Sequence, residues 1–135
     1  MPTVRAQIDF DSIKNRPRRV TPKVIRAVCD RIIEKVRPEK IVLFGSQARN
    51  EGSKDSDLDL LVIIDTANSL APLKRRDRYG EILRLFRHRG FGLDVIVMTN
   101  KELEKIIDEN EGEWNLILEI LAEGKTLHEQ KAQIE

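Results

Sequence analysis

Three aspartates carry the strongest chemical signal in this 135-residue chain. Asp57 and Asp59 stand two apart at the mouth of the apolar run Leu58–Ile64, and Asp94 interrupts a second run, Leu93-Asp94-Val95-Ile96-Val97. Strand side chains alternate faces, so Asp57 and Asp59 point the same way with Cα atoms roughly 6.6 Å apart. Two like charges this close repel, and burying them without compensation is costly, so a cation between them is the natural remedy. Carboxylate oxygens select hard cations, Mg²⁺ above all when phosphate is another ligand. If the strand of Asp94 is the neighbour, about 4.8 Å away, the three carboxylates form one cluster. Such a cluster can hold two ions about 3.5–4 Å apart, one at an attacking oxygen and one at a leaving phosphate.

A second constellation precedes the acids. Gly45-Ser46 follows the apolar run Ile41-Val42-Leu43-Phe44, and Arg49 comes three residues later. Glycine at a strand end lets backbone approach a ligand, and free N–H groups with a hydroxyl at the start of a helical turn favour anions. Arg49, one turn along, adds a bidentate phosphate contact. A phosphate seat facing a metal-binding acid cluster is the apparatus of nucleotidyl transfer. Singly, each feature is an ordinary turn, strand end or surface salt-bridge partner; the combination carries the reading.

The elements that must position these groups are legible from periodicity. Thr21 is a good N-cap, Pro22 suits the first helical position, and Val24, Val28, Ile32 and Val36 recur every four residues until Pro38. Strands are expected at 41–44, 58–64 and 93–98, rich in branched residues. Between the last two, Tyr79, Ile82, Leu83 and Phe86 share a helical face, with Gly90 and then Gly92 as stop signals. Thr99 or Asn100 caps a short helix through Ile107, and a final helix carries Trp114, Ile117, Leu118 and Leu121 before Gly124. Residues 1–20 read as an arm with a short strand at 7–10, and 128–135 as a tail around a domain spanning 21–127. The fold class is α/β (α+β), a small mixed sheet covered by helices.

Composition bounds the rest. Charged residues make up 35% with a net charge of +1, a salt-rich surface and not a polycation. Lys74 to Arg89 is basic and Glu102 to Glu113 acidic; each reads first as a solvated helix face, the basic one alternatively as an attractor of a nucleotide triphosphate or RNA. Trp114 reads first as core and alternatively, beside the acidic stretch, as an anchor for a basic helical partner, and Cys29 reads as a small buried apolar residue. His88 and His128 lack zinc-ligand spacing and read as surface residues. One cysteine, no signal peptide and no apolar span of about 20 residues point to the cytoplasm and away from membranes.

Gly45-Ser46-Gln47-Ala48-Arg49-Asn50 and Ser56-Asp57-Leu58-Asp59-Leu60, with the spacer between them, resemble the signature of the minimal nucleotidyltransferases of the DNA polymerase β superfamily. The resemblance runs from Thr21 to Leu127 and implies that superfamily's fold. It implies that Asp57, Asp59 and Asp94 hold two Mg²⁺ ions, for which Mn²⁺ can substitute, and that Asp94 helps deprotonate the attacking hydroxyl. Gly45, Ser46, Arg49 and Ser56 would hold the nucleotide, ATP or another NTP. Asn50 stands where the family usually has glycine; Gly52 is the candidate replacement. Relatives of this size resemble antitoxins paired with helical HEPN toxins, transferring AMP to a toxin tyrosine, which implies a protein partner over nucleic acid. The alternatives are an antitoxin acting by occlusion, a small-molecule enzyme of the aminoglycoside type, and an RNA-binding accessory protein. A homo-oligomer is compatible with all of them.

Overall fold

The structure, a computed structural model, describes residues 8–14, 16–49 and 55–130. Thr21 caps the first helix, its Oγ1 accepting from the Val24 amide at 3.2 Å, and α1 spans Pro22–Val36. Arg37 ends it in the left-handed region (φ 55°) before Pro38. Four strands follow: β1 Lys40–Phe44, β2 Leu58–Ile64, β3 Leu93–Thr99 and β4 Lys125–Glu129. The helices between them are α2 Gly45–Ala48, α3 Arg75–Leu83 with a 3₁₀ turn Arg84–Phe86, α4 Asn100–Glu109 and α5 Leu116–Glu123. The sheet order is β3-β2-β1-β4; β1 is antiparallel to β2 and β4, and β3 is parallel to β2. This is the expected small α+β fold.

Both faces of the sheet are covered. Leu58, Leu60, Val62 and Ile64 join Val24, Val28, Ile32, Ile82 and Phe86 in one core, against α1 and α3. Val42, Leu61, Ile63 and Met98 join Ile117 and Ile120 in a second, against α4 and α5. That double burial explains why the sequence of β2 reads as a continuous apolar run and not as an alternation. Cys29 lies in the first core, and burial, followed by the charge of Asp30 and opposed by Arg26, pushes its thiol up to about 11. It stays protonated and unreactive at neutral pH.

Several expectations fail for identifiable reasons. Residues 8–10 of the expected short strand form none, and Gln7 lies outside the described residues. Phe10 is instead a core anchor, edge-on to Phe86 at 4.8 Å, and the Gly90 amide donates to the Pro17 carbonyl at 2.7 Å, so this part of the arm is packed down. Strand β4 was hidden because Lys-Thr-Leu-His-Glu offers one strongly apolar residue and is bulged against β1 between Ile41 and Val42. Trp114 precedes α5, whose cap is Asn115, and is 76% exposed. The basic and acidic stretches are not two independent solvated faces. Arg78 is 4% exposed and its guanidinium reaches Glu102 at 2.7 Å. His88 and His128 are half-buried.

Candidate active site

Because β1 is antiparallel to β2 and β2 parallel to β3, the end of β1 meets the starts of β2 and β3 at one end of the sheet. Register sets Phe44, Asp59 and Asp94 in a single row across the three strands. Alternation assigns Asp59 and Asp94 to the face of Leu61, Ile63 and Met98, at the end of the layer built by α4 and α5. Asp57 stands one residue ahead of β2 and is exposed, as is Asp94, while Asp59 is half-buried.

Two glycines fit against these carboxylates. Gly45 takes φ +71°, and a Cβ there would overlap Asp59 Oδ2 and sit 3.2 Å from its Cγ. A Cβ on Gly92 would overlap Asp57 Oδ1 and sit 2.5 Å from its Cγ. Glycine at 45 therefore serves the backbone turn and the close approach of Asp59 together. Gly92 reads in the sequence only as a stop signal after α3. Its second role depends on the Leu58 amide donating to the Gly92 carbonyl at 2.9 Å, a contact between distant segments that spacing cannot reveal.

Burial, then the charge of Asp94, then that of Asp57 push the Asp59 carboxyl above the ordinary aspartate value, and Arg49 opposes them. The three acids are thus close enough to repel. Among the described residues, no three His, Cys, Asp or Glu side chains are posed as a metal cage. The donor set nonetheless fits a hard divalent cation: all oxygen, one-sided, and carrying excess negative charge that a cation would relieve. Mg²⁺ commonly keeps waters and uses one or two carboxylates plus substrate phosphates, which needs no closed protein cage.

The predicted phosphate seat falls on α2. Phe44 precedes it with extended backbone, Ser46 is half-buried, and the Arg49 amide donates to the Gly45 carbonyl at 3.4 Å. The Ser56 carbonyl accepts from Gln47 Nε2 at 3.4 Å, which ties α2 to the segment leading into Asp57. Asn50 and Gly52 lie outside the described residues. A cleft of about 230 Å³ opens between Gly45, Arg49 and the α5 residues Leu116, Glu119 and Ile120. The apolar face of α5 reads in the sequence simply as core, and the fold makes it a wall of this cleft.

The nucleotidyltransferase-domain family model matches residues 23–125, and the chain belongs to that family. Among solved structures, a candidate nucleotidyltransferase from Sulfolobus solfataricus is similar at 23% identity and a TM-score of 0.47, over 62% of this chain and 70% of that one. No curated protein matches the chain. Membership in this family defines a transferase that moves a nucleoside monophosphate from an NTP. Among the described residues, no helix is long and apolar enough to cross a membrane.

The glycine contact yields a prediction. In Gly92→Ala the obstructing atoms belong to the free end of a side chain, so the fold should survive with a melting temperature near that of the wild type. Displacing Asp57 should lower nucleotidyl transfer about 10 to 100-fold, the usual cost of disturbing a ligand's support. Thermal scans paired with NTP turnover check this; full activity would show that Asp57 needs no such support.

Proposed function

We propose that the protein is an Mg²⁺-dependent nucleotidyltransferase that moves AMP from ATP to a hydroxyl of a partner protein, and that the partner is a helical HEPN-type toxin which it neutralises as an antitoxin. The observation that carries the catalytic part is the row of Asp59 and Asp94 on adjacent strands, with Gly45 against Asp59 and Asp57 against Gly92. Asp57, Asp59 and Asp94 would hold the metal, whose chemistry when bound is to neutralise phosphate charge and polarise the reacting oxygens. Gly45, Ser46, Arg49 and Ser56 would orient the triphosphate. Asp94, exposed where Asp59 is half-buried, takes the proton of the acceptor hydroxyl as the hydroxyl oxygen bonds to the α-phosphorus. The bond from that phosphorus to the bridging oxygen breaks, and pyrophosphate leaves. Glu119 and the mostly apolar cleft beside Gly45 are the nearest candidates to face the nucleoside.

The metal requirement is measurable. ATP should bind weakly in chelator and at least about tenfold more tightly in Mg²⁺, because the acid row repels the triphosphate until it is neutralised. Titration calorimetry reads both conditions, and equal affinities would remove the metal-dependent reading. The alternative is neutralisation by occlusion. It is distinguished by the mass of the partner, which gains AMP only under the first.

A further inference from the structure

A groove of about 690 Å³ runs along the free edge of β3. One wall is apolar and exposed: Trp114 at 76% and Leu116 at 49%. Arg75 and Arg76 at the start of α3 also line it. Arg78 and Arg84 on the same stretch have ion-pair partners, whereas among the described residues Arg75 and Arg76 have none. A large aromatic left in water beside two unpaired guanidinium groups is a combination that protein interfaces favour.

The floor is equally informative. The Gly92 carbonyl faces β2, so by alternation the main-chain groups of Leu93, Val95 and Val97 face outward. Tyr79 Oη donates to the Leu93 carbonyl at 3.0 Å and Arg78 Nη1 to the Val97 carbonyl at 3.2 Å, which seals the edge at both ends. Val95 between them has no partner for its outward N–H and C=O among the described residues. The groove therefore offers one main-chain pairing position, one residue from Asp94. Leu116 also lines the cleft beside Gly45, so the groove adjoins that cleft at this residue.

We propose that this groove docks the acceptor: an extended partner segment with acidic residues against Arg75 and Arg76, an apolar residue on Trp114 and Leu116, and its hydroxyl residue delivered to Asp94. A charged wall, an apolar wall and a single β-pairing position suit a peptide. Single-stranded RNA is less suited, because Trp114 and Tyr79 are the only Trp and Tyr in the chain and Tyr79 is half-buried, which leaves Trp114 as the groove's one exposed large aromatic. This proposal rests on the transfer reading only for the fate of the hydroxyl; docking stands apart from it.

The sole tryptophan makes docking visible without catalysis. Two tyrosine-centred 12-residue peptides of matched apolar content, one flanked by glutamates and one by lysines, are titrated into the full chain while Trp114 emission is followed. The acidic peptide should shift emission to the blue and bind at least tenfold more tightly, and Arg75→Glu with Arg76→Glu should reverse the preference. Transfer from ATP is then read by peptide mass. A blue shift without added mass keeps the docking site and overturns the transfer reading. Equal affinities, or a preference unmoved by the charge reversal, overturns the docking site. Oligo-uridine that outcompetes the acidic peptide and loses affinity in the charge-reversed variant also overturns it, in favour of a nucleic-acid groove. Circular dichroism of the double variant confirms that it is folded.

Discussion

Asp59→Asn is expected to abolish nucleotidyl transfer, a loss beyond about 100-fold, while raising the melting temperature measured in chelator. The two effects have one cause. Burial and the charges of Asp94 and Asp57 raise the folded-state Asp59 carboxyl above its unfolded value, so ionising it opposes folding at every pH above the unfolded value near 3.9. An amide of the same shape removes that opposition and also the charge that a cation needs. Mg²⁺ should accordingly raise the melting temperature of the wild type more than that of the variant. Intact mass spectrometry of a co-purified partner should show AMP added by the wild type alone. Transfer within tenfold of the wild type would make Asp59 structural. A melting temperature that falls would mean the carboxylate is held by attractive contacts instead.

Most of the acid row was readable beforehand because it depends on short-range facts. The spacing of Asp57 and Asp59 fixes a common side, and the apolar runs around Asp59 and Asp94 fix strands whose starts must be exposed for the acids to be tolerated. What spacing could not supply was the partner across each gap. Gly92 is only a helix stop until the parallel pairing of β2 with β3 brings it against Asp57. Trp114 followed the helical period of Ile117 and Leu121 and so read as core, but the Asn115 side chain accepts from the Ile117 amide at 2.8 Å and starts α5 after it. Arg78 sits among surface arginines and shares their composition. Only the return of the chain through β3 and α4 surrounds it with acceptors.

That return makes Arg78→Ala the most destabilising single change expected away from the acids. The Arg78 guanidinium donates to the carbonyls of Leu70 at 3.1 Å, Ala71 at 2.6 Å and Val97 at 3.2 Å, and to Glu102 at 2.7 Å. It thereby fastens the loop after β2 to β3 and to the first turn of α4. Removing it leaves three carbonyls and a carboxylate without this donor, a loss on the order of 3–5 kcal/mol, read as a lower urea midpoint. Lysine should not rescue it, because one ammonium cannot span four acceptors held in a planar fork. A pH series separates this clamp from simple loss of packing. Burial pushes Glu102 up, but hydrogen bonds from the Thr99 amide and Arg78 outweigh it and hold the carboxyl below its ordinary value. The stability this confers is present above the unfolded value near 4.3 and is lost as pH falls from there through the lowered folded value. Arg78→Ala should therefore be less stable at neutral pH and lose less on acidification, since only the Thr99 contacts still lower Glu102. An unfolding free energy within about 0.5 kcal/mol of the wild type, or an unchanged acid limb, would show that β3, and with it Asp94, is held in place by the core alone.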